Sequence, residues 1–185
     1  MDSILSLAVC AAGICGAQLA YWLPLKKRDR FRLRALLDLI MVIPLSRLMV
    51  FGNSGCLDAL LLLVIYAVYF TCAAVSTHLC TRLDWAASAY CSVWIVLTSE
   101  SVYELWRVLI WTAEVLGMRH LSLYSTPMLL GQLGFTVVCC IVVRFTVART
   151  MPEDGTYHIG PRQLGSAGLL GVILGKIGRA VQQEC

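Results

Sequence analysis

Long apolar segments recur along this chain, and they constrain its fold more than any other feature of the sequence. Most are about 20 residues or longer, which as helices matches the roughly 30 Å hydrocarbon core of a bilayer. Apolar residues make up 59% of the 185 residues, charged residues 14%, and the mean hydropathy is +0.77. A water-soluble domain of this size cannot bury so much apolar surface, and disorder or a disulfide-stapled secreted fold does not fit either. The composition therefore predicts an all-α, polytopic helical bundle in the cell membrane, with the lipid bilayer as its partner.

Six candidate spans make up one domain over residues 1–185. The first has too long an apolar core and too few basic residues before it for a signal peptide, so we expect it to be retained. The last has a short apolar core and either spans the membrane or lies on its surface as an amphipathic helix. The predicted spans are residues 4–23, 31–51, 57–79, 85–116, 121–147 and 163–181.

Two of these spans have unusual features. The fourth would be roughly 48 Å long as one helix, so it must protrude, tilt or break near its outer third. The fifth contains Pro127, which is expected to kink it.

Glycines recur every three or four residues in the sixth segment and would line one face of a helix. Small residues at this spacing let helices pack closely in lipid. Gly168, Gly171 and Gly175 therefore predict a helix-packing surface, which could serve a homodimer.

A basic cluster follows the first span and sets the predicted orientation. Ten of the 15 lysines and arginines fall on the same side of the membrane as this cluster, which predicts that this side is cytoplasmic and that the N-terminus is outside. The cluster is interpreted as a topology signal in contact with anionic lipid, with a docking site for a cytoplasmic partner as the alternative. Because the charge is concentrated beside a span, nucleic-acid binding is not expected. The cluster comprises Lys26, Lys27, Arg28, Arg30, Arg32 and Arg34.

The polar segments between the spans resemble those of a known family. The sequence reads YWLPLKKR at 21–28, FRLR at 31–34, LDW at 83–85 and PRQL at 161–164. In this order the segments resemble the membrane sensor region of bacterial GHKL-type, accessory-gene-regulator-like sensor histidine kinases. That resemblance implies the input module of a two-component system, which senses a ligand outside or in the membrane and passes a helix shift to the cytoplasm.

The chain also departs from that family. The fourth helix of the family often carries a Gln-His pair, where this chain reads TSES at 98–101. The seventh span, the phosphoacceptor histidine and the ATP-binding domain of the family are missing from these residues. We therefore expect a sensor region that does not itself autophosphorylate.

The fourth span has its charged residues on one face. A charged group inside a membrane costs several kcal/mol, so it usually faces the interior of a bundle or water. Steps of four, three, four and three residues place five side chains on the same side of the helix. They are Glu100, Glu104, Arg107, Trp111 and Glu114.

Arg47 of the second span is expected to meet Glu100, because each lies about 24 Å along its helix from the basic side. Together with Glu104, Arg107 and Trp111 they would line a polar pocket on the outer side for an extracellular ligand such as a peptide. The alternative is that Glu104 and Arg107 pair within the helix while nearby tryptophans anchor it at the membrane interface.

Two other classes of function fit the sequence less well. A small transporter or channel component would be expected to carry internal repeats or matching broken helices, and no convincing repeat occurs. A membrane enzyme would need a nucleophile and base in contact, but Cys80 and His78 stand two residues apart on a helix and face away from each other. With no phosphate loop, HExxH or zinc-finger spacing, the sequence predicts no catalytic residue, metal or cofactor within the chain.

Overall fold

The computed structural model describes residues 2–52, 59–116 and 125–146, which form five helices. The all-α prediction is confirmed. The sixth predicted segment, with Gly168, Gly171 and Gly175, lies outside the described residues. The helices are α1 Asp2–Trp22, α2 Phe31–Gly52, α3 Ala59–Cys80, α4 Trp85–Val115 and α5 Thr126–Phe145.

Three of the five described helices are long and apolar enough to cross a membrane, through the stretches Ile4–Trp22, Leu63–Cys80 and Thr126–Phe145. The outside of the bundle is apolar as well, which suits a surface covered by lipid rather than water. On the described part of α2, six large apolar side chains are each more than half exposed: Leu33, Leu36, Leu37, Ile40, Met41 and Ile43.

The first helix is the centre of the bundle, because α1 contacts all four of the others. Successive helices from α1 to α4 pack on one another, and α5 packs against α1 and α4. One core cluster surrounds Trp22 where α1 ends and α4 begins. A second cluster surrounds Tyr69 and joins α1, α2 and α3.

The residues at the N-termini of α4 and α5 explain why these helices begin where they do. Asp84 caps α4, since its Oδ1 accepts a hydrogen bond from the backbone N–H of Ala87 at 2.9 Å. Pro127 lies in the first turn of α5, where a missing N–H costs nothing, so it begins the helix and the expected kink is wrong. The fourth helix runs 31 residues without the break that was one expected outcome of its length.

Candidate functional site

A cleft of about 180 Å³ opens between α1, α2, α4 and α5. Its walls come from the N-terminal parts of α1 and α5 and from the C-terminal parts of α2 and α4. The basic cluster joins the other ends of α1 and α2, so the cleft lies in the half of the bundle away from that cluster. Small residues of α1, Ser6 and Gly13, make room for it.

Glu100 contributes a carboxylate to the cleft wall. The hydroxyl of Tyr66, from α3, donates a hydrogen bond to its Oε2 at 3.0 Å. One residue earlier, the Ser99 hydroxyl lies 2.7 Å from that of Tyr69, which is fully buried. These two bonds fix α4 against α3 and hold the Glu100 side chain at the cleft, because interhelical polar contacts set helix register in a bundle.

Arg107 and Glu104 form an ion pair on α4 beside the cleft. The Nη1 of Arg107 donates to both carboxylate oxygens of Glu104, at 3.2 and 3.3 Å. Arg107 lines the cleft, and its side chain is 31% exposed against 40% for Glu104. The pair within the helix that the spacing allowed is therefore present, and it neutralises the guanidinium that faces the cleft.

Arg47 and Trp111 are not brought to this site. Arg47 lies on the exposed face of α2, whereas Met49 and Val50 of the same helix line the cleft. The expected meeting of Arg47 with Glu100 is wrong, since Tyr66 of α3 occupies the position opposite Glu100. Trp111 is 57% exposed on the outer surface of α4.

Several side chains of the cleft were not predicted from the sequence. Trp106 lies between α4 and α5, with its ring centroid 5.6 Å from that of Phe135. Its Nε1 is buried and has no hydrogen-bond partner among the described residues. Gln132 is 9% exposed and lines the cleft. The signal in the sequence that could have identified Tyr66 and Gln132 is their position along the helix. Each lies in the half of its helix that is at the same depth in the bundle as Glu100.

The opposite end of the bundle is built from backbone contacts between two loops. Lys27 and Thr81 form an isolated antiparallel β-bridge, and the backbone N–H of Arg28 donates to the carbonyl of Cys80 at 3.1 Å. Trp22, which is 1% exposed, donates through Nε1 to the hydroxyl of Thr77 at 3.0 Å. This end therefore ties the loop after α1 to the end of α3.

Two arginines of the basic cluster are part of that structure. Arg28 Nε donates to the Thr81 carbonyl at 2.8 Å, and Arg34 Nη1 donates to the Leu79 carbonyl at 2.6 Å. Both cap the C-terminal end of α3, where carbonyls lack helical partners and positive charge is favoured. The other four members of the cluster are exposed: Lys26, Lys27, Arg30 and Arg32.

His78 and Cys80 have structural surroundings. The His78 ring stacks on Trp85 with centroids 4.0 Å apart, and its Nδ1 lies 3.0 Å from the Leu83 carbonyl. Cys80 is 1% exposed in the core cluster around Trp22. Within residues 2–52, 59–116 and 125–146, no three His, Cys, Asp or Glu side chains are placed to hold a metal ion.

Comparison of the chain with protein-family models, with curated proteins and with solved structures finds no match. The cleft and the basic end are therefore interpreted from their own chemistry.

Proposed function

We propose that this chain is the membrane-embedded input module of a two-component sensor of the GHKL histidine kinase type. In this proposal the chain crosses the membrane several times with its N-terminus outside, and the cleft admits a ligand from the outer side. The observation that carries the proposal is the cleft itself, which holds Glu100 among four helices in the half of the bundle away from the basic cluster. A sensor of outside signals needs a ligand site on one side of the membrane and a fixed end of the helix bundle on the other.

The signal would pass along helices that touch both regions. α1 lines the cleft through Cys10 and Gly13 and reaches the basic end through Trp22. α4 runs from its cap at Asp84 to the cleft residues Glu100 and Arg107. A ligand that separates these helices at the cleft would tilt them about the anchored end, since packed helices move as rigid elements. A homodimer, packed through the sixth segment, would carry that shift to a cytoplasmic kinase.

The first test of this proposal is to read the coding sequence beyond the Cys185 codon. An in-frame seventh span and an ATP-binding domain, beside a response-regulator gene, would support it. A stop codon followed by transport genes would contradict it. Labelling of an N-terminal tag in intact cells would test the orientation separately, and a tag reached only after the cells are opened would show that the N-terminus is inside.

A small transporter or channel-type protein is the second candidate. It is favoured by one observation, the charged Glu100, Glu104 and Arg107 beside a cleft within an apolar bundle, because ionisable residues inside membrane helices commonly mark substrate pathways. Solute flux into vesicles that contain the purified chain, lost on Glu100→Gln, would favour this candidate over the sensor.

A further inference from the structure

The charges around the cleft do not balance. Glu100 and Glu104 contribute two carboxylates to this region and Arg107 contributes one guanidinium, which is engaged by Glu104. Glu100 receives a neutral donor, the Tyr66 hydroxyl. Within the described part of the chain no lysine or arginine forms an ion pair with Glu100, while Arg107 pairs with Glu104 and Arg82 with Asp29.

A carboxylate in such surroundings is stabilised by a cation. Transferring a charged group from water into an apolar bundle is costly unless an opposite charge compensates it. An anionic ligand would meet the carboxylate of Glu100 and find Arg107 already paired, so the cleft disfavours anions. A cationic ligand would supply the charge that the described walls lack.

The remaining walls select the kind of cation. Val9, Ile14 and Met49 offer apolar surface for an alkyl chain. Tyr103 and Trp106 add aromatic rings beside Glu100, which attract cations through their faces. The volume of about 180 Å³ is below that of pockets for drug-sized molecules, which begin near 300 Å³. It suits one alkyl-ammonium group better than a whole peptide.

We propose that the cleft binds a primary ammonium group on a short alkyl chain, with the Glu100 carboxylate as its counter-ion. The ammonium could belong to a free amine or to the lysine side chain of an extracellular peptide. The Tyr66 hydroxyl positions the carboxylate, and the apolar wall from α1 and α2 holds the alkyl chain. This inference rests on the proposed function only in taking the cleft as the ligand site.

The test is a binding measurement on the full chain in lipid nanodiscs at neutral pH. The cationic probes are pentylammonium and a blocked tripeptide with central lysine. The matched neutral probes are pentanol and the same tripeptide with norleucine. We expect the cationic probes to raise the melting temperature and the neutral probes to leave it unchanged. Stronger binding of pentylammonium would identify a free amine as the source, and stronger binding of the lysine tripeptide would identify a peptide.

Two variants make the test specific. Glu100→Gln keeps the size of the side chain and should weaken binding of the cationic probes at least about tenfold, equivalent to 1.4 kcal/mol. Glu114→Gln removes the same charge from α4 outside the cleft and should leave binding within about twofold. Should Glu100→Gln fold poorly, Tyr66→Phe serves in its place, because it keeps the charge and should weaken binding about threefold.

The proposal is overturned if neutral and cationic probes bind alike, if neither binds, or if Glu100→Gln and Glu114→Gln behave alike. These outcomes leave the sensor proposal standing, since that proposal needs a ligand in the cleft but not an ammonium group, and it is tested by the coding sequence beyond Cys185. Conversely, a stop codon and transport genes there would remove the sensor proposal without changing the amine affinity of the cleft.

Discussion

The two ends of this bundle are stabilised in different ways. At the basic end, two loops share a β-bridge, arginines cap α3, and Trp22 is fully enclosed. At the other end, α1, α2, α4 and α5 leave a cleft whose walls carry Glu100 and Arg107. From this difference we expect the basic end to be the more rigid of the two and the cleft end to adapt to a ligand.

The largest expected effect is that of Trp22→Ala. Trp22 is 1% exposed, donates to Thr77, and packs edge-on against Phe31 at 6.4 Å. Its removal leaves a cavity and an unpaired hydroxyl, and we expect the free energy of unfolding to fall by about 3 kcal/mol. Unfolding by SDS titration in mixed micelles would measure it. The control is Trp111→Ala, because Trp111 is 57% exposed and should lower stability by well under about 1 kcal/mol. Equal losses would contradict the proposed difference between the two ends.

The basic cluster should divide into two classes on mutation. Arg28→Ala and Arg34→Ala each remove a charged donor from a carbonyl at the end of α3, and we expect each to cost about 1.5 kcal/mol. Arg32→Ala removes the same charge from an exposed position and should cost less than about 0.5 kcal/mol. Melting temperatures of the three variants in one detergent would test this. If all three were equally unstable, the net charge of the cluster would matter and the hydrogen bonds would not.

Much of the fold could be predicted from apolar length and turn residues. The second and fourth helices are predicted at 31–51 and 85–116 and found at Phe31–Gly52 and Trp85–Val115. These boundaries are local, since Asp84 caps α4 and the polar loop precedes α2. The Glu104–Arg107 pair is local too, because three residues separate its members on one helix.

The site was harder to predict because it depends on which face of each helix points inward. The rise per residue gave Arg47 and Glu100 the same depth, yet Arg47 lies on the exposed face of α2. The α2 helix itself carries apolar side chains on every face. The periodicity of its sequence therefore does not distinguish the face that packs on other helices from the face toward lipid. Asp38 and Arg34 stand four residues apart on α2, a spacing at which opposite charges often pair. Asp38 nevertheless accepts from Gln18 at 3.5 Å, and Arg34 caps α3. In both cases contacts between helices decide the partner, and depth or spacing along one helix does not.

Two glycines on α5 differ in the space that a side chain would have at each position. A Cβ at Gly131 would lie 3.0 Å from Cη2 of Trp106, whereas a Cβ at Gly134 would meet nothing within 4 Å. Gly131→Ala should push the rigid ring of Trp106 into the cleft and lower the free energy of unfolding by about 1 kcal/mol, as overpacking does. Gly134→Ala should be neutral or slightly stabilising. Quenching of tryptophan fluorescence by a small soluble quencher would report the ring movement, and the same quenching in both variants would contradict it.

The smallest expected effect on stability is that of replacing either of two tyrosines that make similar hydrogen bonds. Tyr66 donates to Glu100 at 3.0 Å at the cleft, and the hydroxyl of Tyr21 lies 3.0 Å from that of Thr98 in the core. Replacing either by Phe should cost about 0.6 kcal/mol, the average for hydrogen bonds between membrane helices. The two variants should nevertheless differ in ligand binding, because only Tyr66 positions the carboxylate of the cleft. Paired measurements of SDS unfolding and pentylammonium affinity would test this. Weaker binding by Tyr21→Phe as well would mean that general loosening of the bundle, rather than the position of Glu100, controls the cleft.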